Sequence, residues 1–109
     1  LVELRPKREM RMDNIQFQQI AKALSDPHRL HILELLKTNE QMHCGAVVER
    51  LAIAQATVSH HLKELTNAGL LSVEREGQFN RYTLNTATLD AYTDELRRRF
   101  LVPASETKK

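Results

Sequence analysis

Gln55-Ala56-Thr57-Val58-Ser59-His60-His61-Leu62-Lys63-Glu64-Leu65-Thr66-Asn67-Ala68-Gly69-Leu70-Leu71 is the stretch whose reading decides the fold. Val58, Leu62 and Leu65 stand at i, i+4 and i+7, the spacing of an amphipathic helix. At about 100° per residue, His61 falls beside that apolar stripe, while Ala56, His60, Lys63 and Asn67 gather on the opposite face. Gln55, Thr57 and Ser59 lie on or near the first turn. Short hydrogen-bonding side chains at the start of a helix are what a DNA major groove can accept. Gly69 predicts a left-handed stop, and Leu70-Leu71 lead into a strand. An ordinary surface helix would share the periodicity; the polar, mildly basic outer face points instead to a DNA-reading helix.

The chain upstream supplies the partner of that helix. Gly45 to Leu51 reads as a short helix with Val47, Val48 and Leu51 facing inward, and Ala52-Ile53-Ala54 joins it to Gln55. Two helices so joined, the second polar outside, make a helix-turn-helix. Further back, Ser25-Asp26-Pro27 marks a boundary. Asp26 can accept the free amides of a new helix, and Pro27 has no amide to satisfy at the first position. His28 to Lys37 follows, apolar over most of its circumference through Leu30, Ile32, Leu33, Leu35 and Leu36, and so expected to be central. It ends in a polar turn, Thr38 to Gln41. Before it, Asp13 or Asn14 caps a first helix, with Ile15, Ile20, Ala23 and Leu24 as a rough stripe and Phe17 at its edge. Residues 1–12, rich in charge, are expected to form a flexible arm.

Downstream, Leu71 to Arg75 alternates apolar and polar, Glu76-Gly77-Gln78 turns, and Phe79 to Leu84 returns as a second strand. A two-stranded hairpin placed directly after a recognition helix reads as the wing of a winged helix, with the wing over about 71–84. Its Arg75 and Arg81 are placed to approach phosphates or the minor groove. Thr86 or Thr88 caps a last helix through Phe100, with Leu89, Tyr92, Leu96 and Phe100 on one stripe. That stripe packs on its own domain or on a second copy of the chain. Paired with Ile15 and Ile20 of the first helix, it is the expected dimerisation surface. Arg97-Arg98-Arg99 reads as a solvated face that favours the negative end of the helix dipole. Residues 103–109 are expected to be a disordered tail. The fold expected is mainly α, a winged helix-turn-helix of about five helices and a two-stranded wing, occupying 13–102.

Composition agrees with a modest single domain of 109 residues, 41% hydrophobic and 28% charged. Trp is absent and aromatics are 5%, so the core should be aliphatic. A formal charge of +2 and a pI near 8.9 are too mild to identify a partner by themselves. The single cysteine allows no intrachain disulfide and suits a reducing cytoplasm. No apolar run approaches the roughly 20 residues of a membrane span, no secretion signal opens the sequence, and Leu1 in first place leads us to expect a missing initiator Met or missing upstream residues. Three glycines, no phosphate-cradling loop and no nucleophile elbow leave nothing on which to build an active site.

Four blocks in this order resemble the ArsR/SmtB-type bacterial winged-helix repressors: Ala23 to Leu33 (Ala-Leu-Ser-Asp-Pro-His-Arg-Leu-His-Ile-Leu), Gln55 to Lys63, Ala68-Gly69-Leu70-Leu71, and the Gly77 wing with Arg81-Tyr82. The resemblance spans roughly residues 15 to 100. It implies a homodimer that binds a short imperfect palindrome in double-stranded DNA, blocks transcription, and is released by an inducer, often a metal ion or an oxidant. The recognition helix departs from relatives at Ala54, where a capping Ser is common; losing a cap costs about 1 kcal/mol.

The family's metal sites do not carry over. A Cys-x-Cys pair near the third helix would fall on His43 and Gly45, with Cys44 between, and Gly45 has no ligand atom. The last helix offers Asp90, Asp94 and Glu95 but no histidine, since none follows His61. No cofactor is therefore expected. His28 and His31, at i, i+3, with His43 and Cys44 beyond, remain the residues from which a non-standard metal site could be built, and Cys44 the one thiol for a redox effector. The bland reading makes them surface histidines and an inert thiol.

The expected DNA contacts are Gln55, Thr57, Ser59, His60, Lys63, Arg75 and Arg81, with His61 structural and Arg29 either an internal ion pair or a phosphate contact. The alternative reading is a winged-helix module that docks a protein partner. It needs apolar anchors on the same faces, where this sequence puts Gln, Thr, Ser, His, Lys and Arg.

Overall fold

The computed structural model describes residues 12–103. The arm expected at 1–12 and the tail expected at 103–109 lie outside them, apart from Met12 and Pro103. In chain order the elements are α1 (Asn14–Ala23), α2 (Pro27–Asn39), β1 (Gln41–His43), α3 (Cys44–Leu51), α4 (Gln55–Asn67), β2 (Leu71–Glu76), β3 (Phe79–Leu84) and α5 (Thr86–Leu96). A wider, π-type turn over Arg97–Leu101 continues α5. The winged helix-turn-helix expected from the sequence is the observed architecture.

The sheet corrects one expectation. It has three strands in the order β1-β3-β2, not two. Gln41, Met42 and His43 pair antiparallel with Thr83, Tyr82 and Arg81. Three residues are too few to display alternation, so the sequence reads as a polar turn. Pairing with the free edge of β3 makes it a strand, and it buries Met42. The hairpin itself closes over Gly77-Gln78, with Gly77 at φ +63 in the first central position, where a tight two-residue turn needs a positive φ.

The core is aliphatic, as the composition requires. Ile20, Ile32, Leu36, Val47, Val58, Leu62, Leu65 and Leu70 are its largest fully buried side chains. Val58, Leu62 and Leu65 are thus the inner stripe of α4, each contributing roughly 1.5–3 kcal/mol by leaving water. The end of α4 is locked as well. The Gly69 N–H donates to Thr66 O (2.9 Å) and the Leu70 N–H to Leu65 O (3.0 Å), the paired bonds of a Schellman stop. Gly69 sits at φ +86, a backbone conformation that favours glycine, and a Cβ there would lie 2.8 Å from Gln16 Nε2 and displace that amide from its bond to Ala68 O.

Helix starts follow the sequence with one correction. Asp13 accepts from Gln16 N (2.8 Å), and Asp26 accepts from His28 N and Arg29 N (2.9 and 3.1 Å) ahead of Pro27. The cap of α5, however, is Asn85 rather than Thr86 or Thr88. Its Oδ1 accepts from Thr88 N, and its Nδ2 donates to Gly69 O at 3.0 Å. An amide serves both ends of that corner; a threonine hydroxyl would be too short to do so.

The C-terminal end of the domain differs from expectation more. Glu95 is only 2% exposed and is gripped by Arg98 and by Arg99 (Nε to Oε2, 2.6 Å). Arg99 also donates to Asn14 Oδ1 (2.9 Å) and lies 4.0 Å over the ring of Phe17. Phe17, expected at a stripe edge, is buried and stacks on Tyr92 with centroids 5.2 Å apart. Arg99 thus ties the end of α5 to α1 and Arg98 holds Glu95 from its own helix, while Arg97 alone keeps to the solvated face. Burial alone would push the Glu95 carboxyl up, but the Arg99 and Arg98 hydrogen bonds and charges outweigh it and hold it below the usual range.

The turn between α3 and α4 contains one strained residue. Ala52 adopts φ +56, ψ +40, with its N–H bonded to Val48 O at 2.8 Å. Left-handed backbone is unfavourable by about 1–2 kcal/mol for a residue with a Cβ. Ala52→Gly should therefore raise stability by up to about 1 kcal/mol in urea unfolding, after glycine's extra unfolded-state entropy is subtracted. For Glu95 the sign is that of a depressed carboxylate. Its contribution is complete above the unfolded glutamate pKa and is lost as pH falls through the lower folded value. Glu95→Gln should cost about 1–3 kcal/mol at neutral pH and flatten the acid limb of a stability–pH curve.

Candidate nucleic-acid interface

Because α4 buries Val58, Leu62 and Leu65, its opposite face is forced outward, and Gln55, Thr57, Ser59, His60 and Lys63 are all exposed. No apolar side chain larger than Ala56 interrupts that face. As Ala54 implies, no side chain among the described residues caps the start of the helix. The face also touches α3, where Ser59 Oγ lies 3.7 Å from Cys44 Sγ.

His61 turns inward as expected and is 7% exposed. Its Nδ1 lies 3.2 Å from Arg29 Nη1. A guanidinium can only donate, so Nδ1 accepts and the ring carries its proton on Nε2, which points toward Asp26 Oδ2 at 3.8 Å. Burial lowers the pKa of the imidazole; Asp26 opposes that and Arg29 reinforces it, leaving the net below the usual histidine value. Arg29 also donates to the carbonyls of Ala23 (2.9 Å) and Lys22 (3.4 Å). Its role is internal: it ties the end of α1 to the recognition helix.

The two wing arginines part company. Residues directly opposed on antiparallel strands share a face. The pairs Arg75–Asn80 and Glu74–Arg81 therefore place Arg75 and Arg81 on opposite faces of the hairpin. Arg75 is exposed near the tip, its Nε bonded to Gly77 O at 2.9 Å. Arg81 is half-buried, donating to Gln41 Oε1 (2.5 Å) and Glu76 Oε2 (2.6 Å). Sequence reasoning missed Gln41 and Glu76. The hairpin register, which puts 74, 76 and 81 on one side, was the available signal for Glu76; Gln41 had none.

Among the described residues no three His, Cys, Asp or Glu side chains converge so as to hold a metal ion. His28 and His31 are exposed on α2; His28 faces His61 at 5.7 Å between centroids. His43 is engaged with Glu76 (3.2 Å), and Cys44 with Ser59. His28, His43 and Cys44 thus each engage a different neighbour. Nor is any described helix long and apolar enough to cross a membrane.

The expected dimerisation residues also divide. Ile20 is corrected outright: at 0% exposure it belongs to the core, because the α1 stripe turns it toward α4 rather than outward. Leu89 and Tyr92 are half-buried against their own core, and Leu96 is half-buried. Ile15 (73% exposed) and Phe100 (69%) remain uncovered, joined by Leu101 (67%), which the sequence did not single out.

Comparison with known proteins agrees with this geometry. A family described as a helix-turn-helix domain matches residues 24–74, from the end of α1 into the wing. Transcriptional repressor SdpR of Bacillus subtilis is 44% identical over 70 residues, covering 64% of this chain and 77% of that protein. An arsenical resistance operon repressor of Staphylococcus xylosus is 37% identical over 81 residues, 74% of this chain and 77% of that one. Transcriptional activator HlyU of Vibrio cholerae is 32% identical over 90 residues, 83% and 82% of the two chains. The solved structure of HlyU covers 84% of this chain and 100% of its own, at a TM-score of 0.63 and 28% identity. Sequence relatives and backbone agree, and the chain belongs to the ArsR/SmtB-type winged helix-turn-helix transcriptional regulators, which are DNA-binding proteins and not enzymes.

Proposed function

We propose that the protein is a homodimeric, sequence-specific repressor of the cytoplasm that binds an imperfect palindromic operator. The observation that carries this reading is the outer face of α4, where Gln55, Thr57, Ser59, His60 and Lys63 lie exposed with no apolar anchor among them. Thr57 and His60 are the base readers, Gln55 and Ser59 flank them, and Lys63 and Arg75 contact phosphate. Arg81 approaches the backbone only by changing partners. A regulator working this way needs two copies about one helical turn apart. Ile15, Phe100 and Leu101, uncovered at the α1/α5 end, supply an apolar surface for a two-fold contact. The similarity to SdpR and the arsenical resistance repressors favours repression over the activation named for HlyU. A protein-docking role finds two exposed apolar side chains on the wing, Phe79 at 60% and Val73 at 44%, and none on α4.

Titration against the promoter DNA of its own operon, at two salt concentrations and with or without Zn²⁺ or an oxidant, tests partner, specificity and effector together. Thr57→Ala and His60→Ala should each lose about 1–3 kcal/mol of discrimination between operator and unrelated duplex. Lys63→Ala should instead weaken both equally and reduce the salt slope by about one. Full discrimination in both α4 variants would refute the assignment of base readers. Phe100→Glu, at an exposed position, should leave the fold intact and shift sedimentation from dimer to monomer; an unchanged dimer would place the contact elsewhere.

A further inference from the structure

Arg81 sits in a cluster that DNA binding alone does not explain. Its Nη2 donates to Glu76 Oε2 at 2.6 Å, while the other oxygen of Glu76 meets His43 Nε2 at 3.2 Å. The His43 ring in turn packs edge-on against Phe79, with centroids 5.5 Å apart. Gln41 takes Nη1, and the Nε of Arg81 is buried with no hydrogen-bond partner among the described residues. Glu74 is paired in register with Arg81, so it shares that face of the hairpin. From Leu71 to Leu84 the charged residues are Glu74, Arg75, Glu76 and Arg81, two acids against two arginines. An element placed beside a polyanion is thus neutral overall, and one of its two cations is held by a carboxylate five residues earlier.

We propose that Glu76 is an intramolecular competitor for Arg81, a positioning residue that sets how much positive charge the wing presents to a phosphate backbone. A carboxylate and a phosphate make the same fork-shaped contact with a guanidinium, so the edge given to Glu76 is withheld from DNA. The pair is half-exposed, at 27% for the Arg81 side chain and 50% for Glu76. Ion pairs of that exposure are weak enough to exchange when a phosphate arrives. The orphan Nε gains a partner only if the side chain moves, so the held position leaves one donor unsatisfied. β1 is part of the device: Gln41 and His43 hold Arg81 and Glu76 respectively in the resting position. The inference rests on the DNA-binding reading and adds to it a residue that contacts no DNA.

The test is a salt series on the full chain, with promoter duplex and with an unrelated duplex. Glu76→Gln should tighten both by about threefold to tenfold at 0.1 M salt and steepen the slope of log K against log salt by about 0.9, one further phosphate contact. In an Arg81→Gln background the same substitution should leave the slope unchanged. A gain that persists without Arg81 would mean general repulsion by the carboxylate, and would overturn the competitor role. So would a Glu76→Gln protein with unchanged affinity and slope. Should that variant fail to fold, Glu76→Asp keeps the charge and shortens the reach, and must still steepen the slope. A wild-type chain that binds neither duplex sinks the DNA reading and this inference together; a wild type that binds, with silent variants, sinks only this one.

Discussion

Burying one side of α4 is the constraint from which the rest of the molecule follows. Val58, Leu62 and Leu65 are fully buried, and α1, α2, α3 and β2 all contribute to the cluster that covers them. A helix so held cannot roll, because one step of rotation would bring His60 or Lys63 into an aliphatic core. The polar face is therefore aimed by hydrophobic packing it takes no part in. Arg29 adds a second restraint, bonded to the carbonyls of Lys22 and Ala23 on one side and to His61 on the other. The neutral, buried imidazole of His61 suits that contact, because a protonated Nδ1 would have nothing to accept with.

Much of this is legible in the order of the amino acids. The 3.6-residue period of α4, the Asp26-Pro27 start of α2, the Gly69 stop and the Gly77 turn are each signalled by chemistry that acts within a few residues. What is not legible depends on partners far apart in the chain. β1 becomes a strand only because β3 offers it an edge. Glu95 is buried only because Arg98 and Arg99 fold back on it and Arg99 reaches Asn14, 85 residues away. Ile20 and Ile15 look alike on a stripe drawn by periodicity, yet one is core and the other surface. The angle at which α1 meets α4 decides between them, and no local pattern encodes that angle.

The candidate interface divides along the same line. Which residues of α4 face outward follows from the stripe, since the outer face is the complement of the inner one. The wing is harder. A pair of arginines on a hairpin looks equivalent in sequence, but the register sends them to opposite faces and gives one of them a carboxylate. Charge counted along the chain thus overstates the charge a surface displays.

The bare start of α4 has a further consequence. With alanine at position 54, no side chain among the described residues accepts from the first amides of the helix, and Thr57 N is left to the backbone oxygen of Ala54 at 3.1 Å. Gln55 and Thr57 ride on that turn, so they occupy the portion of the helix that melts most cheaply, while the Leu62–Leu65 portion is fastened to the core. Amide exchange along the helix should fall steeply from one end to the other. Contact with an anionic surface would then do two things at once, supplying the absent acceptor and freezing the turn, so that recognition is partly an act of local folding.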